Sequence, residues 1–312
     1  MLGVGVFEFG PPDVLTVVDL PEVHAGPGEV RVRVYAAAVN PTDLSIRNGA
    51  RAERLRQIPP PYIPGMDAAG VIDEIGPRTE TNLTVGMAVM AMVAPLGNHG
   101  AYRASIVLSA DSVVKAPAGY SHVEAATLPM NGLTARQSLD QLALRPGQTI
   151  AVTGAAGAYG GYVIQLAKHD GLRVVADSSP ADESLVRNLG VDVVVPRGDD
   201  IAERVRSIIP DGVDGLADGA VLTQLAVGAV RDGGAFVSVR GWSGTGERRN
   251  TFHRTSVRDY DHRCDLLDQL RQLAEARVLT LRVAGTYSPE QAADAHRRLE
   301  ARGTRGRCVI VF

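Results

Sequence analysis

A glycine-rich turn between a predicted strand and a predicted helix limits the possible folds more than any other feature of the sequence. The apolar strand TIAVTG leads into residues 154–161, which are Gly154, Ala155, Ala156, Gly157, Ala158, Tyr159, Gly160 and Gly161. Gly154 and Gly157 permit positive φ and remove Cβ atoms that would block a ligand. Gly160 and Gly161 let the helix press against the strand. A helix that begins there presents N–H groups and a positive dipole end, so the turn predicts a dinucleotide pyrophosphate site.

The rest of the sequence places this turn in a larger pattern. Before residue 117 the chain has short strand-like pieces, such as VRVRVYAAAV from Val30, separated by Gly and Pro, which predicts a small β-rich domain. After residue 117 predicted strands alternate with helices, and the capping box at Ser121 and Glu124 starts the first helix. This alternation predicts an α/β chain with a doubly wound parallel sheet of the Rossmann type. We expect Pro129 and Gly132 to interrupt that first helix.

Composition excludes several classes of function. The 312 residues are 45% hydrophobic and 21% charged, with a net charge of −3, so we expect neither disorder nor nucleic-acid or membrane binding. Aromatic residues make up only 4%, against single-stranded nucleic-acid binding. Two cysteines, Cys264 and Cys308, cannot build a disulfide framework, and the N-terminus MLGVGVFEFGPPD has no signal-peptide pattern, so we expect a cytoplasmic protein.

The end of the strand after the turn decides which dinucleotide fits. This strand ends with Asp177, Ser178 and Ser179, and neighbouring residues of a strand face opposite sides. If Asp177 faces the adenosine ribose, its carboxylate favours NAD. If the two serines face it, they suit a 2′-phosphate, with Arg197 after the following strand as its counter-charge. We favour NADPH over NAD(H), and a solvated loop position is the alternative for Arg197.

Several phrases of the sequence resemble the zinc-free quinone oxidoreductase branch of the medium-chain dehydrogenase/reductase superfamily, similar to zeta-crystallin. They are AVNPTDLSIRNG from Ala38, PYIPGMDAAGVIDEIG from Pro61, GAYRASIVLSADSVVKAPAG from Gly100, EAATLPMNGLTA from Glu124 and VRNLGVDVVV from Val186. The resemblance implies a GroES-like substrate domain at residues 1–116 and 255–312 beside a Rossmann domain at residues 117–254. It also implies a homodimer.

The same resemblance implies site residues. Those assigned to the substrate cleft are Asn40, Tyr62, Met66 and Asn131. Those assigned to the cofactor, besides the glycine turn and the 177–197 region, are Asn40, Asn131, Thr134, Val239, Arg240, Gly241, Gly306 and Arg307. Structural alternatives are a turn-ordering role for Asn40, a packing role for Tyr62 and a surface position for Arg307. Asp43 is expected to fix loop structure, and Asp67 to contact the cleft indirectly.

The departures from the superfamily bear on the reaction. Zinc-dependent members have a Cys in the segment equivalent to AVNPTD and a His-Glu pair where this chain has Met66 and Asp67, so we expect no metal. The expected function is NADPH-dependent hydride transfer to a small electrophilic substrate, a quinone or alternatively the double bond of an enone or enoyl thioester. An alternative of another class is a regulatory or RNA-binding protein that binds NADPH without turnover. The sequence does not assign the role of proton donor to any residue.

Overall fold

The computed structural model of the chain describes residues 1–244 and 246–312. The chain divides into two compact units, which we call the first unit and the second unit. The first unit comprises residues 1–130, 261–276 and 281–312, and the second unit comprises residues 131–260 and 277–280. The sequence-based domain boundaries were 116/117 and 254/255, whereas the structural division falls at 130/131, inside a helix, and at 260/261.

Short strands occur in both units. In chain order the strands are β1 Leu2–Gly5, β2 Thr16–Asp19, β3 Glu29–Ala38, β4 Asp67–Ile75, β5 Ala88–Met92, β6 Ser105–Ser109, β7 Val113–Lys115, β8 Thr149–Thr153, β9 Arg173–Ser178, β10 Val193–Pro196, β11 Val213–Asp218, β12 Val230–Ser238, β13 Thr251–Arg254, β14 Val283–Tyr287 and β15 Arg307–Val311.

Helices occur in both units. In chain order they are α1 Pro41–Arg47, α2 Ala52–Leu55, α3 His122–Ala125, α4 Pro129–Leu142, α5 Ala158–His169, α6 Glu183–Asn188, α7 Ile201–Ile208, α8 Gln224–Val227, α9 Cys264–Glu275 and α10 Ala292–Glu300. Among the described residues, none of these helices combines the length and apolar character needed to cross a membrane.

The first unit is built on a seven-stranded sheet in which β3 is the longest strand. On one side β3 pairs antiparallel with β4, and on the other it pairs with β6 through its first half and with β15 through its last residues. Val30, Val32 and Val34 are buried and alternate with less buried residues before the fully buried run Ala36–Ala38. This pattern confirms the predicted strand, which passes from a half-exposed to a buried position.

The second unit contains a six-stranded parallel sheet in the order β10-β9-β8-β11-β12-β13. Numbered from β8, this order is 3-2-1-4-5-6, the Rossmann arrangement, and it confirms the predicted doubly wound sheet. Apolar residues of the strands and helices, including Val175, Leu216 and Phe236, form its buried core. Because the strands are parallel, all the loops that follow them lie at one edge, where ligands bind in such sheets.

Two local predictions need correction. The capping box at Ser121 and Glu124 and the break before Pro129 are present, but Gly132 lies inside α4, which runs without interruption. Proline fits the first turn of a helix, and one glycine costs only about 1 kcal/mol inside a helix that is otherwise well packed. The sequence analysis also missed β13, which lies in the polar segment after Trp242 and is the sixth strand of the sheet.

Candidate functional site

The glycine-rich turn joins β8 to α5 at the ligand-binding edge of the second unit. Gly154 has φ +68°, and a Cβ added there would lie 2.9 Å from the backbone carbon of Gly219. A Cβ on Gly160 would lie 2.5 Å from the carbonyl oxygen of Gly154. Both positions therefore require glycine, as predicted. Gly157 does not have the positive φ that the sequence predicted, because its φ is −71° and it is the N-cap of α5.

The first turn of α5 begins beside this loop, at Ala158 and Tyr159. The N–H groups of a first helical turn have no partner within their own helix, and the dipole of this twelve-residue helix adds partial positive charge. A left-handed glycine, a helix N-terminus and missing Cβ atoms together form a cradle that a pyrophosphate fits. The residues present are therefore suited to hold a dinucleotide.

Asp177, at the carboxyl end of β9, is turned towards this loop. Its side chain is only 1% exposed, and Oδ1 accepts a hydrogen bond from the Ala155 N–H at 3.0 Å. Oδ2 faces the Arg197 Nε at 3.3 Å. The Arg197 side chain is 42% exposed, and its backbone N–H is held by the Ser178 carbonyl oxygen at 2.8 Å. Asp177 and Arg197 thus form an ion pair with one buried and one solvent-accessible end.

The two serines beside Asp177 also have local partners. The Ser178 side chain is nearly buried, and its hydroxyl donates to the Ser179 carbonyl oxygen at 2.9 Å. The Ser179 hydroxyl donates to Asp182 Oδ2 at 2.6 Å. The structure thus places Ser178, Ser179 and Arg197 within one short region beside the glycine turn.

A second buried aspartate, which the sequence analysis missed, organises the loop after β11. Asp218 accepts hydrogen bonds from the Thr153 hydroxyl at 2.6 Å and from the N–H groups of Leu222 and Thr223 at 3.0 and 2.8 Å. Thr223 has φ +50°, an uncommon conformation for a residue with a branched Cβ. Asp218 therefore stabilises a strained loop that packs on Gly154. Its position at a strand end, directly before Gly219, was the available sequence signal.

The remaining predicted residues of the second unit lie on α4, on α5 and after β12. The Tyr159 hydroxyl donates to the Ser138 Oγ at 2.8 Å, the Ser138 hydroxyl donates to the Thr134 carbonyl oxygen at 2.8 Å, and burial raises the Tyr159 pKa. This chain of bonds ties the start of α5 to α4. Asn131 is buried in the first turns of α4. Of the residues after β12, Val239 and Gly241 are partly exposed and Arg240 is exposed.

In the first unit, Asn40 lies between two buried carboxylates. Its side-chain Nδ2 donates to Asp67 Oδ2 at 2.6 Å, and its backbone N–H donates to Asp43 Oδ2 at 2.8 Å. The other oxygen of each carboxylate accepts a backbone N–H, from Met130 at 2.6 Å and from Gly65 at 2.8 Å. Asn40 is also the N-cap of α1, in a capping box with Asp43. Asp43 was expected to fix loop structure, and its hydrogen bonds to the backbone N–H groups of Asn40 and Gly65 agree with that role.

Burial dominates the electrostatics of this cluster. It raises the pKa of Asp67 to about 7 and the pKa of Asp43 to about 6, although N–H donors and the charge of Arg307 lower both values. Arg307, in β15, is itself only 7% exposed. Its guanidinium is therefore a buried counter-charge for the two acids and not a surface cation. We call Asn40, Asp43, Asp67 and Arg307 the buried acid cluster.

Two further buried polar residues extend this cluster and were not found from the sequence. The Tyr102 hydroxyl lies 3.3 Å from Asp43 Oδ2 and 3.2 Å from the Nε2 of His296, on α10. Burial, together with the charge of Arg47, lowers the His296 pKa to about 3, so the ring is neutral at physiological pH. Neither residue belongs to a local motif, because residue 102 and residue 296 meet only in the folded unit.

Three other residues predicted for the first unit have packing contacts. The Tyr62 ring stacks on Phe9 with centroids 5.2 Å apart, and its hydroxyl donates to the Ile58 carbonyl oxygen at 3.1 Å. Met66 is buried directly before β4. Gly306 permits a close approach, since a Cβ there would lie 2.4 Å from the Arg282 carbonyl oxygen. Among residues 1–244 and 246–312, no group of three or more His, Cys, Asp and Glu side chains is arranged to hold a metal ion.

Comparison with protein families gives two matches along the chain. Residues 26–118 match the alcohol dehydrogenase GroES-like domain, and residues 189–310 match the zinc-binding dehydrogenase family. The first match falls in the β-rich unit, and the second includes β10, β11, β12 and β13 of the parallel sheet. These matches and the strand order define the class of protein: a GroES-like domain combined with a Rossmann-type nucleotide-binding sheet.

Full-length relatives narrow this class. A 2-haloacrylate reductase from Burkholderia sp. is 30% identical over 325 residues, which cover 97% of this chain and 96% of that protein. A quinone oxidoreductase from Pseudomonas aeruginosa is 30% identical over 328 residues, 97% of each protein. A mycobacterial protein solved in complex with NADPH is 28% identical, with a TM-score of 0.88 and complete coverage of both chains. Other curated relatives are longer, and the matches cover only 61% of their length.

The chain therefore belongs to the medium-chain dehydrogenase/reductase superfamily, in its zinc-free quinone oxidoreductase-like branch. This result confirms the resemblance and the two-part fold that the sequence predicted.

Proposed function

We propose that the protein is a zinc-independent, NADPH-dependent reductase that transfers hydride to a quinone. The observation that carries this proposal is the turn at residues 154–161, which combines a left-handed Gly154 with the N-terminus of α5 at the ligand-binding edge of a Rossmann sheet. The Pseudomonas quinone oxidoreductase, which aligns with the chain over almost its whole length, supports the choice of acceptor. When bound, NADPH supplies the hydride.

We assign the cofactor residues as follows. The turn Gly154–Gly160 holds the pyrophosphate, and Arg197 with Ser178 and Ser179 holds the 2′-phosphate. The nicotinamide half is assigned by resemblance to Asn40, Asn131, Thr134, Val239, Arg240, Gly241, Gly306 and Arg307. Because Asn40 and Arg307 are bonded or buried within the first unit, these two are the least supported members of that set.

The proposed reaction needs little chemistry from side chains. A quinone accepts hydride together with its electron pair, spreads the negative charge through its conjugated system to oxygen, and takes one proton to become a hydroquinone. Binding that holds the reactants in contact lowers the entropic part of the barrier, and hydrogen-bond donors near the developing oxyanion lower it further. Such an acceptor requires no Lewis acid.

A second candidate acceptor is an activated carbon–carbon double bond. The Burkholderia 2-haloacrylate reductase matches the chain at the same 30% identity and equal coverage of this chain, which favours an enone, enoyl thioester or related acceptor as strongly as a quinone. Hydride would add to the β-carbon, and the α-carbon would take the proton. The product would be a saturated carbonyl compound.

Initial rates and products distinguish these candidates. We would follow NADPH absorbance with phenanthrenequinone, a benzoquinone and a simple enone, and then analyse the products by mass spectrometry. Rapid quinone reduction supports the first proposal. A saturated product with negligible quinone turnover would replace it with the second. Tight NADPH binding without turnover on the whole panel would instead support the non-catalytic alternative, a regulatory or RNA-binding protein.

Cofactor preference has its own test. Arg197→Ala should weaken NADPH binding about tenfold and leave NADH binding unchanged, because one guanidinium contact to a phosphate is lost. Arg187→Ala is the control, since Arg187 pairs with Glu183 on the exposed face of α6. An unchanged NADPH affinity rejects the phosphate contact. The buried Asp182 carboxylate, which accepts a hydrogen bond from the Ser179 hydroxyl, is a local feature that favours NADH.

We also propose that the protein is a cytoplasmic homodimer, as the sequence resemblance and the two cysteines predict. Light scattering coupled to size-exclusion chromatography measures the mass in solution. A mass of one chain across the accessible concentration range would contradict the dimer.

A further inference from the structure

An aspartate at the end of the second strand of a Rossmann sheet is usually a ribose-binding residue, but Asp177 is placed differently. It is 1% exposed, and each of its oxygens already has a donor within its own unit: the Ala155 N–H on Oδ1 and the Arg197 Nε on Oδ2. A ribose hydroxyl needs a carboxylate oxygen that it can reach. Asp177 offers neither a free oxygen nor accessible surface.

We propose that Asp177 is a positioning residue for the cofactor, which fixes the phosphate-binding turn through Ala155 and orients Arg197, and which does not contact the ribose. This inference rests on the proposed function in that it assumes a nicotinamide dinucleotide at the glycine turn. It assigns a role to Asp177, for which the sequence allowed two orientations.

The bond to Ala155 sets the shape of the turn. Ala155 follows Gly154, whose φ of +68° lets the chain change direction after β8. A buried carboxylate that accepts the next N–H stabilises this one arrangement, because an N–H and a carboxylate form a strong, charge-assisted hydrogen bond in an apolar surrounding. The turn is therefore held in shape from the neighbouring strand, without a ligand.

The bond to Arg197 sets the direction of the guanidinium. The group is planar, so holding Nε against Asp177 fixes the plane in which the two Nη atoms lie. Within residues 1–244 and 246–312 neither Nη atom has a hydrogen-bonding or ionic partner, and the side chain is 42% exposed. If Arg197 swung away, the buried carboxylate would lose its counter-charge, which is costly. Asp177 thus holds Arg197 in a position in which its two Nη atoms are available to an anion.

The test measures nucleotide binding, so it does not depend on turnover. Dissociation constants for NADPH and NADH come from fluorescence titration of the wild type, Asp177→Asn, Arg197→Ala and the double variant. Asp177→Asn retains an acceptor for Ala155 but sets an amide N–H₂ or a neutral oxygen against Arg197. We expect about fivefold to tenfold weaker NADPH binding and less than about twofold change for NADH. In the Arg197→Ala background the same change should have no further effect on NADPH.

Asp214→Asn is a matched control. The Asp214 carboxylate likewise joins a backbone N–H, that of Thr149 at 2.8 Å, to an arginine Nε, that of Arg231 at 2.8 Å. It lies at the amino ends of β8 and β11, the opposite edge of the same sheet. This variant should lose stability but bind both nucleotides as the wild type does.

Three results would overturn the inference. The first is that Asp177→Asn weakens NADH binding more than NADPH binding, as loss of a ribose contact requires. The second is that its effect on the NADPH dissociation constant multiplies with that of Arg197→Ala. The third is that Asp214→Asn changes the ratio of the NADPH and NADH dissociation constants as much as Asp177→Asn does. A wild type that binds NADPH and reduces no acceptor would contradict the proposed function alone. In that case the ratio of NADPH to NADH affinity in the variants would still test the role of Asp177. A wild type that binds neither nucleotide contradicts both proposals.

Discussion

Buried aspartates have contrasting surroundings in the two units. In the buried acid cluster of the first unit, Asp43 and Asp67 accept donors from the chain itself, and Arg307, which supplies the counter-charge, is buried as well. In the second unit Asp177 is equally buried, but its partner Arg197 extends towards solvent. The comparison shows that equally buried carboxylates can have either a buried or a solvent-accessible cationic partner. What distinguishes the two regions is whether the cationic partner still has accessible donors.

The largest expected effect concerns the turn next to Asp177. Gly154→Ala should weaken NADPH binding at least about a hundredfold, because an L-residue at φ +68° is strained and its Cβ would lie 2.9 Å from the Gly219 backbone. Gly147→Ala is the control: Gly147 has φ +88° with no atom within 4 Å of the added Cβ. Fluorescence titration of NADPH gives both affinities. Equal losses in the two variants would mean that strain alone, and not the shape of the cradle, governs binding.

The next largest effect concerns the first unit. Asp67→Ala should lower the free energy of unfolding by about 3 kcal/mol, because it leaves the Met130 N–H and the Asn40 amide without their buried acceptor. Asp73→Ala, on the same strand, removes a partly exposed pair with Arg31 and should cost about 1 kcal/mol or less. Urea denaturation measures both. A loss for Asp67→Ala no greater than that for Asp73→Ala would show that burial does not separate these aspartates.

A pH dependence sharpens the same comparison. The pKa of Asp67 is raised to about 7 by burial, so the folded state binds its proton more tightly than the unfolded chain does. The stability from this group is full below about pH 4 and falls as the pH rises through about 7. The wild type should therefore lose about 1–3 kcal/mol relative to Asp67→Asn between about pH 5 and pH 8. Denaturation at both pH values checks the sign, and a wild type that gains stability relative to Asp67→Asn as the pH rises would contradict it.

The smallest effect is expected at an exposed pair. Arg187→Ala removes an i, i+4 contact with Glu183 on α6, where both side chains are about half exposed. We expect a loss of about 0.3 kcal/mol, reduced further by salt. Thermal denaturation at low and high salt measures it. A loss above that of Asp73→Ala would show that accessibility is a poor guide to the strength of ion pairs in this protein.

Local sequence patterns predicted the parts of the molecule that local chemistry determines. The glycine turn, the capping box at Ser121 and the alternation of strands and helices follow from neighbouring residues, and each is present in the structure. β13 was missed because only four residues, Thr251–Arg254, pair with β12, inside a polar segment without an apolar run. Its pairing depends on the sheet that is already there and not on its own sequence.

The buried polar residues were harder to predict. The positions of Tyr102, His296 and Asp218 depend on partners far along the chain, and no spacing rule connects them. The alternation of the strand at Asp177 and Ser178 showed that one of them turns away from the ribose, but it did not show which. That choice depends on the Ala155 N–H and on Arg197, which approach from two different loops.

The position of β15 has a consequence for synthesis. This strand lies inside the first unit's sheet, between β14 and β3, and it carries Arg307, the buried cation beside Asp43 and Asp67. On the ribosome, residues 307–311 emerge only after the whole second unit, which can fold before they are available. Until then, the end of β3 lacks its partner strand, and Asp43 and Asp67 lack the counter-charge of Arg307. Nascent chains that stall before this strand are therefore expected to be substrates for chaperones or proteases, although they already contain every residue of the glycine turn.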